Sequence, residues 1–423
     1  MCESVIHMEA DWVRLGREVT QDRNAAEARE WLIPNGIGGY ASGTVAGTLT
    51  RRYHGLLVAA TSPPTGRHLI VPKLEAVLTY RGVRYELGTN AWADGSVSPH
   101  GYALLESFAL DGNIATWTYT LGDAIFSVRL TMQPGANVTA LVYALERADE
   151  PATLDVRVLA DDRDHHGTSR QDGRVFASQL VTGGVRVGLP SLRANLEVRA
   201  EAQWSTATGW YRAFALDRER ERGLEAVEDH PIVASFRATV APRQRLDVTL
   251  AFGDASEWNA PAIVAERRAL DAERCRGIAD APLRVLAIAA DAFVVDEDGT
   301  RWYRSGDLAA YDGEQRVYRI VGRLKELIIS GGFNIYPREI ENEIDLFPGI
   351  VASAVIGIAD AARGELPIAY IEISEPVDTD ALLARLRERL ASFKVPKSVH
   401  VIDALPRNAL GKIEKPKLRA LLA

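Results

Sequence analysis

Ile232-Val233-Ala234-Ser235-Phe236-Arg237-Ala238-Thr239-Val240 sets the fold of the longer part of this chain. Ile232, Ala234, Phe236, Ala238 and Val240 fall on one side of an extended segment, and Ser235, Arg237 and Thr239 on the other. That period of two marks a strand with one buried face. The same alternation recurs in Phe126 to Met132, in Leu154 to Val158 and in Leu246 to Phe252. Turn signals such as Asp111-Gly112-Asn113 punctuate these runs. Many half-buried strands at short spacing, from about residue 30 to 255, predict a large antiparallel sandwich.

Moving outward toward the C-terminus, the pattern changes near Pro261. Residues 261–276 (PAIVAERRALDAERCR) have a helical composition, and Pro282 opens a second run with Leu283, Leu286, Ala287, Ala290 and Phe293 at three- and four-residue spacing. That run stops early, and Asp296-Glu297-Asp298-Gly299 reads as a turn. Afterwards short strands (317–321, 327–329, 351–358, 368–373) alternate with helices over 337–347 and 380–392. The predicted organisation is therefore multidomain, with the join at roughly 293–300. It comprises a lead over 1–27, an all-β sandwich with short helices over 28–260, a helical segment over 261–295, and a small α+β domain over 296–423.

Composition bounds what such a chain does. Its 423 residues exceed what one core usually organises. With 47% hydrophobic and 25% charged residues and a net charge of −8, the chain is an ordinary globular one and no general binder of nucleic acid or anionic membrane. Cys2 and Cys275 form no disulfide framework or metal-ligand spacing. The first 24 residues carry Glu3, Glu9, Asp11, Arg14 and Arg17 without an apolar run, and no stretch reaches membrane-spanning length. A cytoplasmic location without membrane or nucleic-acid partners is expected.

Within the sandwich, Glu30-Trp31-Leu32-Ile33-Pro34-Asn35-Gly36-Ile37-Gly38-Gly39-Tyr40, continuing through Gly47, precedes Arg51-Arg52-Tyr53-His54-Gly55. Later come Arg163-Asp164-His165-His166 and the stretch from Tyr211 to Gly223. This set resembles the N-terminal domain of bacterial and archaeal glycogen debranching enzymes over roughly residues 28–293. The resemblance implies an α-glucan partner. Trp31, Tyr40 and Tyr53 would offer flat faces for sugar rings, and Arg51, Arg52 and His54 would offer donors to hydroxyls. The same residue types equally suit a scaffold, with Trp31 and Tyr40 in the core and Arg51 to His54 bracing a neighbouring domain. Gly36-x-Gly38 lacks the strand–turn–helix setting of a dinucleotide site. Ser42-Gly43-Thr44-Val45-Ala46-Gly47 lacks the Pro-Lys of a phosphate loop, and Asp161, Asp162, Asp164, His165 and His166 make a poor metal cage. No metal site is expected. Debranching enzymes of this type carry their paired carboxylates in a later helical barrel, of which only a first helix is recognisable, ending near Val295.

The second module holds Tyr303-Arg304-Ser305-Gly306-Asp307, Gly322-Arg323-Leu324-Lys325-Glu326, Ser330-Gly331-Gly332-Phe333-Asn334 and Pro406-Arg407-Asn408-Ala409-Leu410-Gly411-Lys412, in that order. Residues 299–421 thereby resemble the C-terminal domain of adenylate-forming enzymes, in the flavour of acyl-CoA synthetases. The resemblance assigns Asp307 to the ribose hydroxyls, Arg323 to the nucleotide, Lys325 to the hinge, Gly331 and Gly332 to a hairpin that admits CoA, and Lys412 to adenylation. Attack of a carboxylate on the α-phosphate brings two anions together, and a mobile ammonium offsets their repulsion. ATP, magnesium and CoA are implied for that family, but nothing in residues 1–290 replaces its ATP-binding domain, so this chain alone should hold none of them. Asp360-Ala361-Ala362-Arg363-Gly364-Glu365 departs from the family pattern. Three readings follow. The chain is a fusion of two accessory domains without a complete active site, a synthetase component working in trans with a separate ATP-binding domain, or a non-catalytic glucan binder.

Overall fold

The computed structural model describes residues 13–253, 258–291, 294–297, 300–303, 307–312, 317–323, 326–331, 333–407 and 412–421. The chain divides into two compact units, Met1–Tyr303 and Arg304–Ala423.

The first unit is the antiparallel sandwich that the alternation predicts. Its largest sheet has nine strands, with Leu105–Asp111, Ile114–Leu121, Ala124–Met132, Val138–Arg147 and Arg245–Phe252 as consecutive neighbours. A six-stranded sheet is built around Val227–Val240, Ala152–Leu159 and Leu74–Tyr80, and a five-stranded sheet around Thr65–Val71, Gly55–Ser62 and Tyr40–Thr44. The buried sides of all three meet in one core, where Phe126 and Leu130 join Leu78, Val156 and Phe236, and Trp31, Leu57 and Ile70. Burying this many large apolar side chains, at roughly 1.5–3 kcal/mol each, outweighs any single polar contact in the unit.

Turn chemistry fixes register. Asp111 pairs with Ile114, leaving a two-residue loop whose Gly112 has φ +58°. A side chain there would be strained, and its Cβ would lie 2.5 Å from Asp271 Oδ2. The close approach exists because Asp271 accepts from the Asn113 backbone N–H at 2.7 Å and from its Nδ2 at 2.9 Å.

Asp271 belongs to the helix Ala260–Arg274, which starts at Asn259, whose side chain accepts from Ala262 N–H. Arg267, on the same helix, is 1% exposed, and its Nη2 donates to Pro34 O at 2.9 Å and Met132 O at 3.0 Å. Two polar latches thus bind this helix to the sandwich. The next helix, Ala281–Asp291, buries Ile288 but leaves Leu283 55% and Leu286 62% exposed. Its apolar stripe is only partly covered.

In the second unit, Gly364–Ile373 lies between Ile350–Asp360, antiparallel, and Val399–Ile402, parallel, with the hairpin Ile328–Ser330/Phe333–Ile335 at the edge. Period two splits the central strands. Val355, Ala369 and Ile371 pack under Ile340 and Ile344 of helix Pro337–Ile344 and under Leu382 and Leu386 of helix Thr379–Arg389. Ala354, Ile356, Ile368 and Tyr370 pack against Leu418 of helix Lys415–Ala420 on the other face. Helix Thr379–Arg389 begins at Asp378, whose carboxylate accepts from Asp380 N–H and Ala381 N–H. This is the small α+β fold the sequence predicts. The helix expected over 380–392 stops at Arg389, because Leu390 is already extended. Among the described residues no helix is long and apolar enough to cross a membrane.

Candidate functional site

Three separated motifs of the first unit converge at one place. Tyr40 opens the strand Tyr40–Thr44, Tyr53 precedes the strand Gly55–Ser62, and His165-His166 follows the short strand Arg163–Asp164 of the same sheet. Tyr40 Oη lies 3.2 Å from His165 Nδ1, and Tyr53 Oη 3.1 Å from His166 Nδ1. The two imidazoles meet through their Nε2 atoms at 3.1 Å, and the Tyr53 ring packs edge-on against both. One Nε2 must carry a proton and the other accept it, so the chain hydroxyl–imidazole–imidazole–hydroxyl is complete with both rings neutral. Burial, the neighbouring His166 and the Arg67 guanidinium push His165 down to about 4, which favours the neutral ring.

Behind this cluster lies a buried charge network. Arg163 donates through Nη2 to Arg52 O at 2.8 Å and pairs with Glu228 at 2.9 Å. His230 stands between Asp161 Oδ2 at 2.9 Å and Glu228 Oε1 at 3.1 Å, and all three side chains have no exposure. Burial alone would pull His230 down, but the Glu228 charge and bonds to both carboxylates more than offset it and raise the imidazole to about 9. These carboxylates are spent on internal pairing. Neither faces solvent, so they are no glycosidase pair.

The sequence-predicted residues separate accordingly. Trp31 is 5% exposed, stands edge-on to Trp117 with ring centroids 5.3 Å apart, and donates from Nε1 to Thr44 O at 3.2 Å. A ring so enclosed has no face for a sugar, which corrects that assignment in favour of the core reading. His54 is 3% exposed, and its Nδ1 accepts from Thr50 N–H at 3.2 Å. Burial and the Arg51 charge push it down to about 3, so it is a neutral internal brace rather than a donor at the surface. Arg51, half-buried, pairs with Glu30 at 2.7 Å. Arg52 donates to His166 O and, at 3.2 Å, to Glu225 O. Of the six residues offered to glucan, Tyr40, Arg51, Arg52 and Tyr53 keep partial exposure. His165 and His166 join Tyr40 and Tyr53 in the cluster without having been assigned to it. Their presence in the quoted motifs was the signal, but their pairing across 125 residues was not readable.

In the second unit Lys412 is exposed, just beyond residues 408–411, which lie outside the described residues. A bridge between Arg407 and Ile413, and a bond from Glu414 N–H to Pro406 O at 2.8 Å, close the base of that loop. Lys415 ties the loop's far side down through Glu326 at 2.5 Å and buried Glu341 at 2.8 Å. Gly331 has φ +57°, with no atom within 4 Å of a notional Cβ, as an open hairpin turn requires. Its N–H donates at 2.7 Å to Arg363 O, so the stretch that departs from the family pattern sits directly on this hairpin. Asp307 and Arg323 are antiparallel partners at the ends of strands Asp307–Asp312 and Val317–Arg323. Lys325 and Gly332 lie outside the described residues. Among the described residues no group of three or more His, Cys, Asp or Glu side chains is arranged to hold a metal ion.

Comparison with known proteins gives two separate matches. The model of the glycogen debranching enzyme N terminal matches residues 29–247, and that of the AMP-binding enzyme C-terminal domain matches residues 339–412, ending on Lys412. A feruloyl-CoA synthase from Amycolatopsis sp is 49% identical over 120 residues, 28% of this chain and 24% of that protein. A 3-[(3aS,4S,7aS)-7a-methyl-1,5-dioxo-octahydro-1H-inden-4-yl]propanoyl:CoA ligase from Mycobacterium tuberculosis is 43% identical over 135 residues, 31% of this chain and 26% of that protein. The crystal structure of ATP-bound MatB from Rhodopseudomonas palustris is 43% identical, with a TM-score of 0.28, over 30% of this chain and 25% of that chain. The chain spans about a quarter of the length of the curated relatives it matches.

Proposed function

The chain belongs, through residues 29–247, to the glycogen debranching enzyme N-terminal family, and from that premise we propose that it pairs an α-glucan-recognising sandwich with a synthetase lid, neither of which turns over substrate alone. One observation carries the reading. The two matched segments, 29–247 and 339–412, follow one another with only the latched helix, the partly covered helix and short strands between them. The lid is therefore joined to a sandwich where a synthetase joins its lid to an ATP-binding domain.

The lid's own residues fit half of an adenylation site. An exposed Lys412 held on a closed loop base suits an ammonium that must reach an anion, and Gly331 leaves room beside the backbone for a slender thiol arm. ATP, magnesium and CoA would meet these residues only with a separate large domain in trans. When bound, ATP supplies the activated phosphate. Lys412 would hold charge on the reacting carboxylate side, and Gly331 would line the path of CoA.

The test is pyrophosphate release from ATP and a carboxylic acid, with the chain mixed with an isolated synthetase large domain. The chain alone should release none, the mixture should release some, and Lys412→Ala should lower that rate by about 10²-fold or more. A mixture as silent as the separate parts defeats the trans reading. For the sandwich, retardation of the full chain in a glycogen-containing native gel is expected, and unaltered mobility rules out glucan recognition.

A further inference from the structure

The outer face of the six-stranded sheet carries a groove of about 480 Å³, and strand register explains how it is lined. The alternation that sends Leu78, Leu154, Val156 and Phe236 into the core turns their neighbours outward. Pairing then sets those neighbours in rows across the strands. One row runs Glu86, Val77, Asp155, Arg237, Gln203, and the next runs Glu75, Arg157, Ser235, Ser205. The longer row crosses five strands and four gaps, about 19 Å at about 4.8 Å per gap. The polar floor is thus a trough lying across the strands.

Its chemistry points to one ligand class. Three guanidinium groups (Arg84, Arg157, Arg237) face three carboxylates (Glu75, Glu86, Asp155), so the formal charge of the lining is balanced. A phosphorylated ligand would meet as many carboxylates as cations, and a lipid would find mainly polar groups. Planar donors and acceptors interspersed with Gln203, Ser205 and Ser235 match a neutral ligand rich in hydroxyls. Several of these groups are held in place. Arg237 Nε donates to Asp155 Oδ1 at 2.6 Å, and Arg157 Nη1 to Tyr211 Oη at 3.0 Å. Tyr211 is part of a stiff aromatic wall, stacked with Trp92 at 6.2 Å and Phe214 at 6.0 Å between centroids. At the floor Glu75 is 8% exposed and is held by an ion pair, its Oε1 3.0 Å from Lys73 Nζ.

We infer that this trough is a binding site for a neutral oligosaccharide strand, with Tyr211 as its aromatic wall and Arg157, Arg237 and Asp155 as its hydroxyl partners. None of Tyr40, Tyr53, His165 and His166 lines it. The inference rests on the proposal above that the sandwich recognises α-glucan, and it states where. Native electrophoresis of the full chain through glycogen, with maltoheptaose as competitor, tests it. The unaltered chain should be retarded and then released by maltoheptaose, and Arg157→Ala and Tyr211→Ala should each weaken the interaction about tenfold or more. Arg84→Ala and Glu86→Ala, at exposed positions of the strand Val83–Glu86, should weaken it about threefold, and they carry the test if a deeper variant misfolds. An unaltered chain that glycogen does not retard overturns both the glucan reading and the trough. Retardation unchanged in all four variants overturns the trough alone.

Discussion

Raising pH should destabilise the first unit chiefly through one histidine. His230 is fully buried between Asp161 and Glu228, and its imidazole is raised to about 9 from an ordinary 6.5. A group whose folded pKa lies above its unfolded one stabilises fully below the unfolded value and loses that contribution as pH rises through the folded value. At about 1.4 kcal/mol per pH unit, the rise from 6.5 to about 9 amounts to about 3.5 kcal/mol, most of it lost between about pH 7 and about pH 9.5. His54 and His165 do not blur the window, because they are depressed to about 3 and about 4 and stay neutral throughout it, while buried Cys275, whose thiol is raised, adds a smaller loss of the same sign near its upper end. All eight tryptophans (12, 31, 92, 117, 204, 210, 258 and 302) lie in Met1–Tyr303, so tryptophan fluorescence of the whole chain in urea reports on that unit. The midpoint should fall by about 1 M urea across the window for an m-value of about 3 kcal/mol/M. His230→Gln, which cannot titrate, should start lower and fall far less across the window. A variant whose midpoint falls with pH as steeply as the unaltered chain's would refute the assignment.

On the acid side the sign reverses: buried neutral His54 should cost about 2 kcal/mol at about pH 5, and His54→Gln should flatten that limb of the fluorescence-monitored urea curve. Arg267→Met should cost the unit at least about 2 kcal/mol, lowering the same midpoint by about 0.7 M, since the Pro34 and Met132 carbonyls lose their buried donor. A loss under about 0.5 kcal/mol would mean that the latch is idle. In the second unit, which has no tryptophan, Lys415→Met should cost about 1–3 kcal/mol, because buried Glu341 loses its nearest ammonium and keeps only the Val355 N–H and the more distant Arg338. Far-UV circular dichroism should show that unit melting earlier while the fluorescence transition stays put.

Strand identity in the sandwich was legible because half-buried strands write their burial as alternation, as in Leu154 to Val158 and Ile232 to Val240. The helix beginning near Pro261 was legible from its composition, and the next one from its three- and four-residue spacing. Burial of polar residues was not. Arg267 reads as one charge among several on a surface helix, yet two distant carbonyls draw it fully inside. Trp31 and His54 have the composition of a sugar site, and only tertiary packing shows them enclosed. The trough shows how far local reading reaches. Alternation tells that Asp155, Arg157 and Arg237 point outward, but which of them stand side by side depends on register between segments some 80 residues apart.

Pulled from its ends, this protein should behave as a tethered spring with a clasp. Tension entering the sandwich from its C-terminal side travels through the helix Ala260–Arg274 before it reaches the strand Arg245–Phe252. On that path it meets Asp271 on Asn113, then Arg267 on Pro34 and Met132. The first clasp shares its load between two hydrogen bonds and the second among three, so the strand behind them is shielded until both give way. In an optical trap that design should appear as an early, short extension step ahead of the main rip, and Arg267→Met should erase it.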